Sequence, residues 1–182
     1  MNRLPRVRPF ASHEWRLYKD LRLSALAESP DAFGSTLAAE QDRLDHEWSS
    51  RLASGASSGL DLPLVAELDG EPIGLAWGRV DRDDPELAYL YQMWIAPDHR
   101  RLGAGQMLLE AVIAWAKAKH VCYLDLGVTY RESPAMHLYR RAGFEPLGQP
   151  EPLRLGSDLL GLSMRLELGK GDGNKTPHPE EH

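Results

Sequence analysis

The chain has 182 residues, of which 42% are hydrophobic and 26% are charged, and its formal net charge is −6 at pH 7. This composition is typical of one globular domain, and the acidic balance argues against a nucleic acid or an anionic membrane as the main partner. The single cysteine excludes an internal disulfide, and neither a signal peptide nor an apolar run of about 20 residues is evident, so we expect a cytoplasmic protein.

Apolar spacing and turn-forming residues predict the elements of the first half of the chain. These are, in order, a strand over residues 6–10, a helix over 12–28, a helix over 36–52, and strands over 62–68 and 72–80. Ser12 is a candidate cap for the first helix, and residues 54–59 read as a flexible loop. Asp69-Gly70 is a tight-turn dipeptide, so the last two strands are predicted to form a hairpin.

In the second half of the chain, segments with the apolar spacing typical of strands alternate with segments that have the spacing typical of helices. Its predicted elements are a strand over residues 87–95, a helix over 103–119, a strand over 121–128, a helix over 134–142, and strands over 144–147 and 160–168. Residues 1–168 are therefore expected to form the domain. Residues 169–182 lack periodicity and are expected to be disordered, and the histidines in this tail, His178 and His182, are not taken as metal ligands.

This order of elements predicts an α+β fold. We expect a central, mixed and mostly antiparallel sheet of about six to seven strands, flanked by about four helices. One parallel pair interrupts the pattern, because the strand ending at Ile95 and the strand starting at Val121 are joined by a helix in a βαβ crossover.

The most informative segment lies between that strand and that helix. It reads Arg100-Arg101-Leu102-Gly103-Ala104-Gly105, so a glycine-rich turn leads into a helix. Such an arrangement leaves backbone N–H groups free at the positive end of the helix dipole. The segment therefore predicts a binding site for a phosphate or pyrophosphate, and the two arginines add positive charge.

Spacing decides between the known types of phosphate site. A P-loop needs Gly-Lys-Ser/Thr, whereas this chain has Gly105-Gln106-Met107. A dinucleotide-binding fingerprint needs a third glycine where Leu108 stands, although Asp125 follows at about the required distance. In addition, seven residues separate the strand from the glycines, so both interpretations are weak.

Two motifs in this order resemble the signatures of the GNAT superfamily of acyl-CoA-dependent N-acetyltransferases. The first is the glycine-rich segment 100–105, which resembles Arg/Gln-x-x-Gly-x-Gly/Ala. The second is segment 133–144, Ser-Pro-Ala-Met-His-Leu-Tyr-Arg-Arg-Ala-Gly-Phe, which resembles Ala-x-x-Leu-Tyr-x-x-x-Gly-Phe. Residues 21–33 extend the resemblance, which covers roughly residues 5–168.

The resemblance implies a GNAT-type fold whose parallel strands splay apart, with acetyl-CoA as co-substrate entering the gap. It also implies transfer of an acetyl group to a primary amine of a small molecule or peptide. The cofactor-binding residues that it implies are Met93, Trp94, Ile95, Arg100, Arg101, Leu102, Gly103, Ala104, Gly105 and Gln106. No metal is implied.

By the same resemblance, Tyr139 is the candidate proton donor to the departing CoA thiolate, since a phenol is a competent donor to a thiolate. Several members of the family carry a glutamate as general base where this chain has Tyr89. The base is therefore open, with a water chain or one of five side chains as candidates: Asp81, Asp83, Asp84, Glu86 and His137. Phe33, Tyr89 and Tyr91 are the candidate acceptor-binding residues.

Two other functions stay open. One is a non-catalytic acyl-CoA-binding or sensor module, which the missing glutamate favours. The other is a dinucleotide-dependent oxidoreductase, which Gly103-x-Gly105 and Asp125 favour. A homodimer is also possible, since an exposed sheet edge near the C-terminal strand could pair with a second copy.

Overall fold

A computed structural model describes residues 3–169 of the protein. Its helices are α1 (Trp15–Glu28), α2 (Leu37–Gln41), α3 (Asp45–Ser57), α4 (Ala104–Ala118) and α5 (Pro134–Ala142). Its strands are β1 (Arg6–Pro9), β2 (Asp61–Leu68), β3 (Glu71–Val80), β4 (Leu87–Ile95), β5 (Tyr123–Thr129), β6 (Glu145–Pro146), β7 (Glu151–Pro152) and β8 (Leu160–Glu167).

The strands form one sheet in the order β1-β2-β3-β4-β5-β8-β6, and β7 also pairs with β8. Every pair is antiparallel except β4 and β5. The predicted fold class is therefore confirmed, with eight strands and five α-helices where about six to seven strands and about four helices were expected. The strand without a predicted counterpart is β7, a two-residue pairing that leaves little periodic signal in a sequence.

The predicted helix over 36–52 is wrong, because two separate helices occupy this region. The side chain of Thr36 accepts a hydrogen bond from the Ala39 N–H and caps α2. A new helix then starts, with the Glu47 carboxylate accepting from the Leu44 N–H at 2.7 Å. This helix continues to Ser57, through most of the predicted loop, and Ser12 does not cap α1, which begins at Trp15.

The sheet is covered on both faces. Successive residues of β2 point to opposite sides, so Leu64 packs in the core under α4 and Val65 in the core under α1 and α3. The core on the α4 side is mostly aliphatic, whereas Tyr18, Trp48 and Trp77 make the other core largely aromatic. Full burial of one such side chain stabilises the fold by about 1.5–3 kcal/mol, so both helical layers are held to the sheet.

The parallel pair opens into a gap. β4 and β5 are hydrogen-bonded only as far as Leu90 and Leu126, and beyond this point they no longer pair. The β3–β4 register also shifts there, and Gln92 has a φ of 55°. A bulge inserts an extra residue and bends the strand that carries it, so β4 turns away from β5. The predicted splayed pair is thus present.

Two expectations concern the ends and edges of the molecule. The tail beyond Gly169 lies outside the described residues. The sheet edge near the C-terminal strand, where the dimer hypothesis places its contact, is formed by the short strands β6 and β7, which pair with the outer side of β8. The homodimer stays a prediction. Among residues 3–169, none of the helices has the length and apolarity needed to cross a bilayer.

Candidate active site

A cleft of about 1310 Å³ occupies the gap between β4 and β5. Its wall includes the ends of both strands, the start of α4, part of α5 and the loop before α2. Most of the predicted site residues meet there: Phe33, Tyr91, Met93, Trp94, Ile95, Arg100, Arg101, Gly103, Gly105, Gln106 and Tyr139. Leu102, Ala104 and Tyr89 are not part of this wall.

The start of α4 presents a row of free donors, which we call the N–H cradle (residues 102–106). Their backbone N–H groups donate to no other backbone group among residues 3–169, and the first helical bond is from Met107 to the Gly103 carbonyl at 3.0 Å. Leu102 and Ala104 therefore contribute backbone rather than side chains. Gly103 has a φ of 85°, which a glycine adopts without strain. The cradle has the geometry and the dipole to bind an anion.

Arg100 is tied to the protein on two sides. Its Nε donates to the Ile95 carbonyl at 3.0 Å, and its Nη2 donates to Glu28 Oε2 at 2.8 Å. The same oxygen accepts from Trp94 Nε1 at 2.8 Å. Burial acts to raise the pKa of Glu28, but hydrogen bonds from Ser29, Trp94 and Arg100 hold it below its usual value. Arg100 thus fixes the loop before the cradle, whereas Arg101 makes no side-chain hydrogen bond or ion pair within residues 3–169.

The open side of β4 offers further donors. Ala96 N–H bonds to the Ile73 carbonyl on β3 at 2.8 Å, so it points away from the cleft. Because N–H groups alternate along a strand, those of Ile95 and Met93 point to the opposite side, towards the gap. This placement suits donation to a carbonyl oxygen that gains negative charge during a reaction.

Tyr139 lies on α5 and reaches the cleft with only 6% of its surface exposed. The Phe144 ring packs edge-on against it, with 5.9 Å between ring centroids. Burial raises the pKa of Tyr139 to about 12, and no charged group in the described part of the chain offsets this effect. The phenol therefore carries its proton at neutral pH, as a free phenol does, and burial makes it a weaker acid than usual.

The predicted acceptor-binding aromatics are divided between two places. Phe33 and Tyr91 line the large cleft, whereas Tyr89 lines only an adjoining cavity of about 150 Å³, which Tyr91 also borders. Tyr89 and Tyr91 stack with 5.6 Å between their centroids, since they are two residues apart on one face of β4. Tyr89 thus packs against the Tyr91 ring from outside the large cleft.

The candidate bases lie elsewhere. Asp81 accepts from the N–H groups of Asp83 and Asp84 and so stabilises the β3–β4 turn. His137 lies beside Glu132, and none of the five candidates lines the cleft. Asp125, which the dinucleotide hypothesis needs, is held by Arg165 through two hydrogen bonds of 2.8 and 2.9 Å.

A cluster at one side of the cleft was missed by the sequence analysis. Arg22, Arg43 and Arg51 line the cleft together with Glu40. The sequence did contain a signal for Arg22, because Tyr18, Arg22 and Ala25 are spaced so that they share the buried face of α1. An arginine on such a face needs partners, and this should have marked it for attention.

Comparison with known proteins agrees with this geometry. A mycothiol acetyltransferase of Clavibacter michiganensis subsp. michiganensis is 29% identical over 124 residues, 68% of this chain and 37% of the relative. A streptothricin acetyltransferase of Streptomyces lavendulae is 36% identical over 63 residues, 35% of this chain and 33% of the relative. The chain spans less than half of the length of these curated relatives.

Solved structures share the fold. A GNAT-family acetyltransferase of Streptococcus pneumoniae superposes with a TM-score of 0.76 at 23% identity, covering 91% of this chain and 99% of that one. A phosphinothricin acetyltransferase of Sinorhizobium meliloti, in complex with acetyl-CoA, also gives 0.76 at 19% identity, covering 100% and 95%. The model of the acetyltransferase (GNAT) family matches residues 18–144, and the chain therefore belongs to the GNAT family of acetyltransferases.

Proposed function

We propose that the protein is an acetyl-CoA-dependent N-acetyltransferase that transfers the acetyl group directly to a primary amine of a small molecule or peptide. The observation that carries this proposal is the presence, in one cleft, of the N–H cradle and the protonated phenol of Tyr139. The similarity to mycothiol and streptothricin acetyltransferases, and to a phosphinothricin acetyltransferase in complex with acetyl-CoA, supports the same assignment.

The cradle is the site for the pyrophosphate of acetyl-CoA. Five N–H groups and the helix dipole, equivalent to about half a positive charge, favour a doubly charged group. Arg101 adds a charge at the wall of the cleft. The open edge of β4 can then hold an extended chain containing amide groups through backbone hydrogen bonds, in the manner of an added strand.

The reaction proceeds by attack of the free amine on the thioester carbonyl. The C–N bond forms while charge develops on the carbonyl oxygen, which the β4 backbone N–H groups stabilise. Loss of one such donor typically costs about 10²–10³ in rate. The C–S bond then breaks, the thiolate takes the proton of Tyr139, and solvent restores that proton.

The proton of the amine leaves to solvent in this proposal. Neutralising an ammonium of pKa about 10.4 at pH 7 costs roughly 4.6 kcal/mol, so the amine binds productively as its free base. Glu40 is paired with Arg22, and Glu151, the other carboxylate of the described cleft wall, is exposed. Neither is placed as a dedicated base.

The proposal is tested by thiol release from acetyl-CoA in the presence of a broad amine panel. We expect release that depends on one class of acceptor. Tyr139→Phe should lower kcat by about 10²-fold with little change in KM for acetyl-CoA, because general acid catalysis typically contributes that much or more. Tyr123→Phe, a matched change on β5 outside the cleft, should leave the rate unchanged.

Equal rates for Tyr139→Phe and the wild type would rule out Tyr139 as the general acid. Acetyl-CoA binding without release for any amine would favour the sensor module instead. Binding of NADH in place of acetyl-CoA would support the oxidoreductase and refute the proposal as a whole.

A further inference from the structure

Arg22 places a guanidinium in the wall of the cleft although the residue is only 4% exposed. Its Nε and Nη2 donate to Glu40 at 3.3 and 3.1 Å. Its Nη1 is buried and has no hydrogen-bond partner among residues 3–169. A buried donor of a charged group that lacks an acceptor is costly, so its retention in a cleft points to an acceptor supplied by a ligand.

The guanidinium is held in a fixed orientation. Glu40 binds one edge of it, and the Phe33 ring lies under it with 4.8 Å between Cζ and the ring centroid. Two contacts of this kind remove most of the side chain's conformational freedom. A ligand that binds Nη1 therefore pays little entropy for ordering the arginine, which favours tight binding.

The surroundings carry excess positive charge. Arg51 Nη1 lies 3.8 Å from Glu40 Oε2, and Arg43 also lines the cleft, with a buried Nε that lacks a partner in the described part of the chain. Burial acts to raise the pKa of Glu40, but Arg22 and its neighbours hold that pKa below its usual value, so Glu40 is ionised. Three guanidinium groups therefore face one carboxylate, which leaves a net charge of two.

This cluster adjoins the strand at which the chemistry is proposed to occur. Tyr18, whose neighbours include Arg22 and Arg51, donates its hydroxyl to Gln92 Oε1 at 2.8 Å. Gln92 is the bulge residue of β4, and it lines the cleft between Tyr91 and Met93. The arginines thus belong to the acceptor side of the cleft, whereas the N–H cradle forms the start of α4.

We propose that the acceptor is an amine that also bears a carboxylate, such as an amino acid, and that Arg22 Nη1 with Arg43 and Arg51 binds this carboxylate. The inference rests on the proposed function and narrows its substrate class. A carboxylate supplies the acceptor that Nη1 lacks and reduces the net charge of the cluster to one. A plain polyamine would instead bring further positive charge to it, which is unfavourable.

The test compares each of the common amino acids with its C-terminal amide, which keeps the side chain and removes the negative charge. Thiol release from acetyl-CoA gives kcat and KM, and calorimetry gives binding of the same compounds without turnover. For the best acceptor we expect the free acid to exceed its amide by about 10- to 100-fold in kcat/KM, since hydrogen bonds between charged groups are worth that much. The matching phosphonates, run in parallel, distinguish a carboxylate site from one that prefers a larger oxyanion.

Arg43→Gln and Arg22→Gln should reduce this preference by raising KM for the free acid more than KM for its amide or for acetyl-CoA. Arg16→Gln, on the exposed side of α1 and outside the cleft, should leave the preference intact. Arg22 is buried, so its variant is first checked by circular dichroism. If it fails to fold, Arg43→Gln carries the test.

The outcomes separate the inference from the function on which it rests. Free acids that bind better than amides, without any thiol release, would support the anion site and refute the transferase. Amides that bind and react as well as free acids would overturn the anion site while the transferase stands. A preference for the free acid that survives in Arg43→Gln and in folded Arg22→Gln would also overturn it.

Discussion

Gly103 joins backbone conformation to ligand binding at a single residue. It has a φ of 85°, and a Cβ added to it would meet no atom within 4 Å, so a side chain there would point into open space at the start of α4. We predict that Gly103→Asp weakens acetyl-CoA binding by more than 10-fold, because it places a negative charge where the pyrophosphate is proposed to bind. The cost in stability should be limited to backbone strain of about 1–2 kcal/mol. Isothermal calorimetry and thermal unfolding measure the two effects separately.

Gly59→Asp is the matched control. Gly59 has a φ of 72°, also with open space around it, but lies in a loop outside the cleft wall. The Gly59→Asp variant should lose a similar amount of stability through backbone strain and keep full affinity for acetyl-CoA. Equal affinity in the wild type and Gly103→Asp would mean that the cradle is not the cofactor site.

At the scale of elements, local signals were sufficient for several predictions. The hairpin around Asp69-Gly70, the strand Leu87–Ile95 and the helix Pro134–Ala142 agree with the structure to within about a residue at each end. Each is bounded by residues whose backbone preference is intrinsic, such as proline at the start of α5 and Gly143, with a φ of 99°, at its end.

Other features were not predictable in this way, either because a local arrangement had alternatives or because the partner is distant in the sequence. The start of α3 depends on how Glu47 folds back onto Leu44, which is one of several possible capping arrangements. The bulge at Gln92 has no sequence signal of its own, and its positive φ is imposed by the way β4 crosses β3. The two motifs lead to residues that line the cleft, such as Gly103 and Tyr139, whereas the Arg22–Glu40 pair joins two helices and could not be predicted as a pair.

The close approach of β3 and β4 gives a prediction at this scale. A Cβ on Gly74 would lie 2.5 Å from the Trp94 carbonyl oxygen and 2.5 Å from Ile95 Cδ1, so β4 would have to move. We predict that Gly74→Ala destabilises the protein by about 1–3 kcal/mol and weakens acetyl-CoA binding, since Ile95 is on the cleft-facing edge. Urea unfolding and calorimetry test this.

Gly127→Ala on β5 serves as the control for stability, because a Cβ there would meet nothing within 4 Å. Its stability should stay within about 0.5 kcal/mol of the wild type. Unchanged stability in Gly74→Ala would show that β4 can move to accommodate the added Cβ at little cost, and that the strand is less rigid than its packing indicates.

For the whole molecule, the distribution of charge matters more than its sum. The net charge of −6 gave no sign of a basic site. The described cleft wall nevertheless contains only two carboxylates against eight arginines, which are Arg22, Arg43, Arg51, Arg79, Arg100, Arg101, Arg131 and Arg141. A concave positive surface on an acidic protein concentrates anionic ligands at one place.

We therefore predict that kcat/KM for acetyl-CoA falls by about 10-fold or more when the ionic strength rises from about 0.05 to 0.5 M, because salt screens this attraction. Arg131→Gln should reduce the dependence, whereas Arg16→Gln, outside the cleft, should not change it. Thermal unfolding at each salt concentration serves as the control for the integrity of the fold. A salt-independent kcat/KM would mean that the arginines act only on bound ligands.

The N–H cradle and the open edge of β4 have a consequence for how such a protein diverges over evolutionary time. Both present backbone groups, which every residue except proline provides, so most side-chain replacements leave these donors in place. The proposed acceptor side of the cleft consists of side chains from α1, the loop before α2 and α3, where each replacement alters shape or charge. Under the proposed function, selection can therefore alter the choice of acceptor without rebuilding the cradle and the strand edge assigned to the acyl donor.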